Sequence, residues 1–483
     1  MVVAVPAAVH APEAGAAAGR AAKVERMFDT PADPSTPAET TRLDRAIPVL
    51  AALGAVLLVW VWSALGLLSL PGLALAALVA AAAGLLVLRR APALTLLLPP
   101  LLLPLPQLGV LFPFEMALLA SGALLVLHLA HHAPERLRRA SRWEVANALF
   151  VAWALVTTLW AFDGLHVFLG VRRLLLGVVA GAVAARMAGS VSKRAFEAGV
   201  VGMLLALAGA TLARSIAGGF TADNALEHRS ATTAMGWGTA NFIATLLLLL
   251  SPPAFALLVS PRPWWMRAGA AVGLLLAATL QVVVASRAAT VLFFLGLLVQ
   301  AFLMLKRRAR WMGVGAIVTG ATVAMVSPFG QGFLERFTNL KDLGSMVIRL
   351  WYFREGFRRV QDFFWFGMGL NQGIPYPDKM SGIDLHNYWL VVASELGVVG
   401  LVLWIVTLGA QWFALRDVRR TPGFERIGLS LQVAFWLGQL HTLVEPTFQG
   451  VQYQFLWFWL GMGFVGYARQ AASDASYAAT SER

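Results

Sequence analysis

Apolar residues come in long blocks between residues 47 and 468, with short polar breaks between them. Many blocks run about 18–22 residues, enough for a helix to cross a hydrocarbon core of roughly 30 Å. They show no strict alternation of the kind a membrane barrel strand carries, so helices are expected. The blocks begin with Ile47–Leu68, Leu73–Leu88 and, after a Pro-rich stretch, Phe112–Leu129. Next are Trp143–Phe162, His166–Met187, Ala195–Ile216, Met235–Val259, Ala268–Ala285, Arg287–Leu305 and Met312–Val326. Asn387–Leu415, Ile427–Val444 and Val451–Ala468 close the series. Some early blocks are short enough for half-helices. The reading is an all-α polytopic membrane protein with 12–14 transmembrane helices.

One long break, about 327–386, is patterned. In Met346–Arg359 apolar residues recur at helical spacing between arginines, as in a helix lying at a membrane interface. Phe363–Asn371 is an aromatic- and glycine-rich turn region. The pattern divides the chain into a disordered tail at 1–46, a membrane domain at 47–468 that includes the partly helical loop 327–386, and a second tail at 469–483.

Composition agrees. Of 483 residues, 59% are hydrophobic and 13% charged, against about 45–50% and 25% in soluble domains. A water-soluble fold would lack polar side chains to cover its surface. No cysteine is present, which removes thiolate nucleophiles, disulfides and Cys-based metal sites. The net charge of +13 reads mainly as positive-inside bias rather than as a nucleic-acid surface. With the N-terminus cytoplasmic, six basic clusters fall on the cytoplasmic side: Arg89-Arg90, Arg136–Arg142, Arg186/Lys193/Arg194, Arg262/Arg267, Lys306–Arg310 and Arg416–Arg426. Both tails are then cytoplasmic.

The 327–386 loop breaks that rule. It lies outside, yet it holds Arg336, Arg349, Arg354, Arg358 and Arg359. Arg229 lies in another outer loop, Arg287 in a tight outer turn, and Arg172 and Arg173 near the outer end of a span. Intramembrane arginines are costly and usually face an interior or a cavity, although these two also fit snorkelling to headgroups. Arg358 and Arg359 fit a solvated or headgroup-facing helix face. Arginine forks suit phosphate oxygens, because two parallel N–H groups meet two oxygens.

The sharpest local signal is His386-Asn387, capping a span at its outer end, followed by Gly397 and Gly400, which allow close helix packing. Glu395 lies nine residues inward of His386, about 13 Å deeper along a straight helix, where it must be neutral or partnered. This spacing resembles the O-antigen ligase family, whose signature is His, Asn/Ser/Gln, nine residues, Gly, two residues and Gly/Thr/Tyr. Arg336 to Leu340 meets that family's weaker Arg-x-x-x-Leu pattern. Ser286-Arg287-Ala288-Ala289 is similar to its Ser-Arg-Gly-Ala turn, with Ala288 in place of Gly, and Phe366-Gly367-Met368-Gly369 to its Phe-Gly-x-Gly stretch. The likeness covers roughly residues 150–470.

The resemblance implies the helical membrane glycosyltransferase fold and an inverting transfer. The donor would be an undecaprenyl pyrophosphate-linked glycan, and the acceptor a sugar hydroxyl of lipid A-core oligosaccharide. The site would face the periplasm, in the bacterial inner membrane. The implied partners are these two substrates and membrane lipids, with no nucleic acid and no cofactor. His386 would be the general base, with Asp384 and Asn387 as candidate orienting groups. Arg287, Arg336, Arg349, Arg173 and Arg229, in that order, would bind pyrophosphate. No Asp-x-Asp pair stands in the long loop, so arginines rather than a metal would neutralise the leaving group. An O-antigen polymerase or protein O-oligosaccharyltransferase would share the donor. A lipid-linked oligosaccharide flippase is the alternative outside enzymology; transporters favour internal repeats and midplane sites, and the chain shows neither.

Overall fold

The computed structural model describes residues 140–481, except 189–190, 218–239, 285, 329, 332–333, 335–339, 373, 377–378, 384 and 447–449. It also describes scattered positions between 96 and 122. All of them belong to one unit, Gly54–Arg483. The blocks Ile47–Leu68 and Leu73–Leu88, the tail 1–46 and most of Phe112–Leu129 lie outside the described residues.

Each later apolar block forms a helix close to its expected bounds. They are α1 (Arg142–Val156), α2 (Gly164–Met187), α3 (Lys193–Ala217), α4 (Ala240–Leu258), α5 (Trp264–Val283) and α6 (Arg287–Met304). They continue with α7 (Arg307–Val326), α8 (Leu340–Asp362), α9 (Tyr388–Arg420), α10 (Glu425–Thr442) and α11 (Val451–Ser481). Among the described residues, seven helices are long and apolar enough to cross a membrane. The protein is a polytopic helical membrane protein. The amphipathic stretch forms α8, and the loop after it adds a hairpin, β1 (Ile374–Tyr376) against β2 (Lys379–Ile383), antiparallel with Ile374 opposite Ile383. The last helix runs past the apolar block, and its continuation from Arg469 to Tyr477 is polar and largely exposed.

The core sits where apolar faces go all the way round a helix. From Val451 to Ala468, α11 is buried at every position, including Tyr453, Trp457 and Trp459. It lies along α2. The contact is close at two glycines of α2: a Cβ at Gly177 would stand 2.9 Å from Phe458, and one at Gly181 3.1 Å from Met462. Two buried indoles of α11 have polar partners, which offset their loss of water: Trp457 Nε1 donates to Gln411 Oε1 at 2.8 Å and Trp459 Nε1 to the Leu96 carbonyl at 2.9 Å. At the other extreme α7 has no buried residue, as expected of a helix set in lipid.

Three of the basic breaks meet at one end of the bundle. Arg262 Nη2 pairs with Glu197 Oε1 at 2.6 Å, and Lys193 Nζ donates to the Gly423 carbonyl at 2.8 Å. Arg426 donates to the Val259 carbonyl, and Arg186 pairs with Glu144 at the start of α1. Those contacts join loops that the charge pattern assigned to one side.

Candidate functional site

His386 stands just outside the N-terminus of α9. Asn387 is the N-cap: its side-chain oxygen accepts from Leu390 N at 3.0 Å, satisfying a backbone donor that the helix start leaves open. Its Nδ2 donates to the Leu443 carbonyl at 3.0 Å. The cap therefore pins the start of α9 to the end of α10 and fixes where His386 emerges.

Three elements converge on the imidazole. His386 Nδ1 lies 3.4 Å from Oε2 of Glu445, in the loop that leaves α10. The ring of Tyr352, from α8, sits 5.6 Å from the His386 ring, centre to centre. Arg349, one turn earlier on α8, donates from Nη2 to Glu445 Oε1 at 2.6 Å. Glu445 is buried while Arg349 and His386 are partly exposed. Burial raises the carboxyl's pKa, but the His386 contact and the charges of Arg349, His386 and His441 outweigh it. The net effect holds Glu445 well below the ordinary carboxylate range. At neutral pH it is an anion beside the imidazole. The 3.4 Å contact is not aligned as a hydrogen bond, so it is a charge contact that a small ring rotation would close. A carboxylate facing Nδ1 favours the tautomer with its proton there, which leaves Nε2 to accept one.

Sequence reasoning missed Glu445. The signal was present: an acid one residue past a predicted span, at its outer end, in a loop short enough to be held against the bundle. Asp384, the orienting candidate two residues before His386, lies outside the described residues, as do Arg229 and Arg336.

Arg287 begins α6 immediately after the buried Ser286. Thr290, one turn on, donates Oγ1 to the Gln281 carbonyl at 2.8 Å, so the turn is braced from inside. Helix α6 packs on α10, where Gly296 leaves room for Leu437. Thr290 bonds Gln281, Gln281 Nε2 donates to the Ala244 carbonyl at 2.8 Å, and the neighbouring Thr245 lies 3.3 Å from His441 Nδ1, so the start of α6 and the end of α10, with Arg287 and the loop carrying Glu445, share one end of the bundle. Arg349 belongs to the His386 cluster through Glu445. Arg173 stands elsewhere: its Nη1 reaches Asn371 Oδ1 at 3.5 Å, and it lines a cavity with Tyr388 and Glu395. Arg172 pairs with the fully buried Glu115 at 3.4 Å, which gives it a counter-charge inside the bundle. Arg359 is not on a solvated face. It is buried, pairs with Glu355 at 3.2 Å and donates to Met368 Sδ at 3.3 Å.

The glycines of the histidine motif do more than allow packing. Gly397 has φ of +68° and breaks α9 into an outer and an inner half. The outer carbonyls receive replacement donors: Met368 N to Ser394 O at 3.1 Å, Gly369 N to Glu395 O at 2.9 Å, and Trp153 Nε1 to Leu396 O at 3.0 Å. The inner amides find replacement acceptors: Val398 N to Phe364 O at 2.8 Å and Val399 N to Trp365 O at 3.4 Å. Backbone this irregular is tolerated within a membrane protein only where protein satisfies it. The Phe-Gly-x-Gly turn and the histidine-bearing helix thus form one stitched unit. A Cβ at Gly397 would collide with the Trp365 carbonyl, and one at Gly367 with the Glu395 carbonyl.

Among the described residues no group of three or more His, Cys, Asp or Glu side chains could hold a metal ion. Comparison with curated proteins finds no match. A family description does match residues 272–405, a stretch that holds Arg287, α8, the Phe-Gly-x-Gly turn, His386-Asn387 and both signature glycines. That segment is similar to the O-antigen ligase family, the family the residue motifs resemble.

Proposed function

We propose that the protein transfers a glycan from an undecaprenyl pyrophosphate donor to a sugar hydroxyl of lipid A-core, at the periplasmic face of the inner membrane. The observation that carries this reading is the His386–Glu445 pair, a base backed by an anion. Nε2 of His386 takes the proton of the acceptor hydroxyl as its oxygen attacks the anomeric carbon. The bond from that carbon to the pyrophosphate oxygen breaks, its electron pair leaves with the pyrophosphate, and the centre inverts. The imidazolium formed stands beside the Glu445 carboxylate, which stabilises it. Arg287 neutralises charge on the leaving pyrophosphate, with Arg336 and Arg229 as further donors. Arg349 acts one step back, by holding Glu445.

The test uses purified full-length protein with lipid-linked O-glycan and rough lipopolysaccharide. The expected product is a ladder of glycan-bearing lipopolysaccharide, formed equally well in EDTA. Longer lipid-linked glycan with unmodified lipopolysaccharide would make the protein a polymerase instead. Loss of transfer in EDTA, restored by Mg²⁺ or Mn²⁺, would overturn the arginine account.

A further inference from the structure

The second buried carboxylate in the motif, Glu395, has no part in the step above. It is 4% exposed, on the outer half of α9 just before the break. The break does not need it. Every backbone group freed at Ser394, Glu395, Leu396, Val398 and Val399 has a backbone or tryptophan partner. An apolar side chain would be the cheaper occupant of this depth, since a buried carboxylate is costly unless paired and hydrogen-bonded.

The carboxylate instead accepts from Asn371 N at 2.6 Å. Asn371 is left-handed, with φ of +61°, a conformation asparagine tolerates better than most residues. Its side chain is held at both ends: Nδ2 donates to the His166 carbonyl at 2.9 Å, and Oδ1 accepts from Arg173 at 3.5 Å. The turn presses onto α2 at Gly170, one turn outward of Arg173, where a Cβ would stand 2.8 Å from Leu370 and 3.0 Å from Asn371. Arg173, Asn371, Tyr388, Glu395 and Gln454 line one cavity of about 20 Å³, enough for a single water between polar groups. A guanidinium near the outer end of a span and a carboxylate at the break in α9 therefore meet across Asn371.

We propose that Glu395 is a positioning residue: through Asn371 it holds the Arg173 guanidinium where the donor's pyrophosphate binds. The inference rests on the glycosyl-transfer reading above. It separates two groups of arginines, with Arg287 and Arg349 on the His386 side and Arg173 fixed by Glu395 on the α2 side.

The experiment uses full-length protein in lipid nanodiscs with undecaprenyl pyrophosphate as the binding probe and steady-state transfer as the second readout. Glu395→Gln keeps the shape of the side chain and removes its charge. Asn371→Gly keeps the left-handed backbone and removes the bridge to Arg173. Each is expected to weaken probe binding and raise the donor KM by roughly tenfold or more, with misplacement of a binding group costing up to about 10²-fold. The acceptor KM and kcat at saturating donor stay near the parent values. In an Arg173→Gln background neither substitution adds a further loss. Parent-like probe affinity in Glu395→Gln, even with a lowered melting temperature, would overturn the proposal, as would additive losses in the double variants. If Glu395→Gln does not fold, Asn371→Gly decides by the same two readouts. A parent protein that does not bind the probe would sink the transfer reading itself, and this inference with it.

Discussion

Nδ1 of His386 faces Oε2 of Glu445 at 3.4 Å, across the gap between the start of α9 and the loop leaving α10. The other carboxylate oxygen of Glu445 is engaged by Arg349, at 2.6 Å. One buried anion thus joins the proposed base to the interfacial helix.

Glu445→Gln should separate the two consequences of that geometry. The amide can still accept from Arg349 but cannot stabilise an imidazolium, so transfer should fall about 10²–10⁴-fold, the scale of general-base catalysis. Stability should fall by about 1–3 kcal/mol at neutral pH, because the charge that strengthens the buried Arg349 hydrogen bond is gone. The pH dependence has a definite sign. The folded carboxyl is held down to about 2, against an ordinary value of 4.5. Its contribution is therefore fully present above about 4.5 and lost as pH falls toward 2. Melting temperatures of parent and variant should differ by a constant amount from pH 5 to 8 and converge in acid. A gap that widens as pH falls would contradict the assignment.

Gly397→Ala should be far worse than its chemistry suggests. A left-handed backbone costs a non-glycine residue about 1–3 kcal/mol, and here the new Cβ also strikes the Trp365 carbonyl. The matched control is Gly409→Ala on the inner half of the same helix, where a Cβ meets nothing within 4 Å. That change should be neutral or stabilise by up to about 1 kcal/mol. Thermal unfolding in detergent compares the two, and equal stabilities would mean that the break is not essential.

Those two sites mark how far the sequence could be read. The spans were legible because lipid imposes length and apolarity on each helix separately. His386-Asn387 was legible because a cap is a local device. The break at Gly397 was not, because Val398 and Val399 continue the apolar pattern and only the distant Phe364 and Trp365 carbonyls make a break affordable. The role of Glu445 was hidden for a related reason: the acid itself stands out in the sequence, but the residue it serves is brought to it by the packing of α8, α9 and α10. Arg359 read as solvated or headgroup-facing, yet the Gly-rich turn folds over it and brings Met368 to its guanidinium.

The charge pattern also predicts an orientation. The native chain has no cysteine, so single-cysteine variants report cleanly. A cysteine replacing the exposed Asp362 should react with a membrane-impermeant maleimide once the outer membrane is opened. One replacing the exposed Arg308 should react only after the inner membrane is permeabilised. The reverse order would invert the topology and remove the site from the periplasm.

Arg287 and His386 should fail in different ways. Arg287 opens α6 at the bundle end that carries Glu445, and its proposed contact is with the donor. Losing one preorganised donor to a developing anion costs roughly 3–4 kcal/mol, about 10²–10³ in rate. Because that contact also exists in the bound ground state, Arg287→Ala should weaken undecaprenyl pyrophosphate binding as well. Arg287→Lys should restore only part of the loss, since a point charge cannot form two parallel bonds to phosphate. His386 is proposed to touch only the acceptor hydroxyl. His386→Ala should lose about 10²–10⁴ in rate and bind the donor as the parent does. Direct binding and single-turnover transfer, measured on both variants, distinguish the roles. Near-normal transfer by folded His386→Ala would remove the base from the mechanism, and parent-like donor binding by Arg287→Ala would remove the arginine.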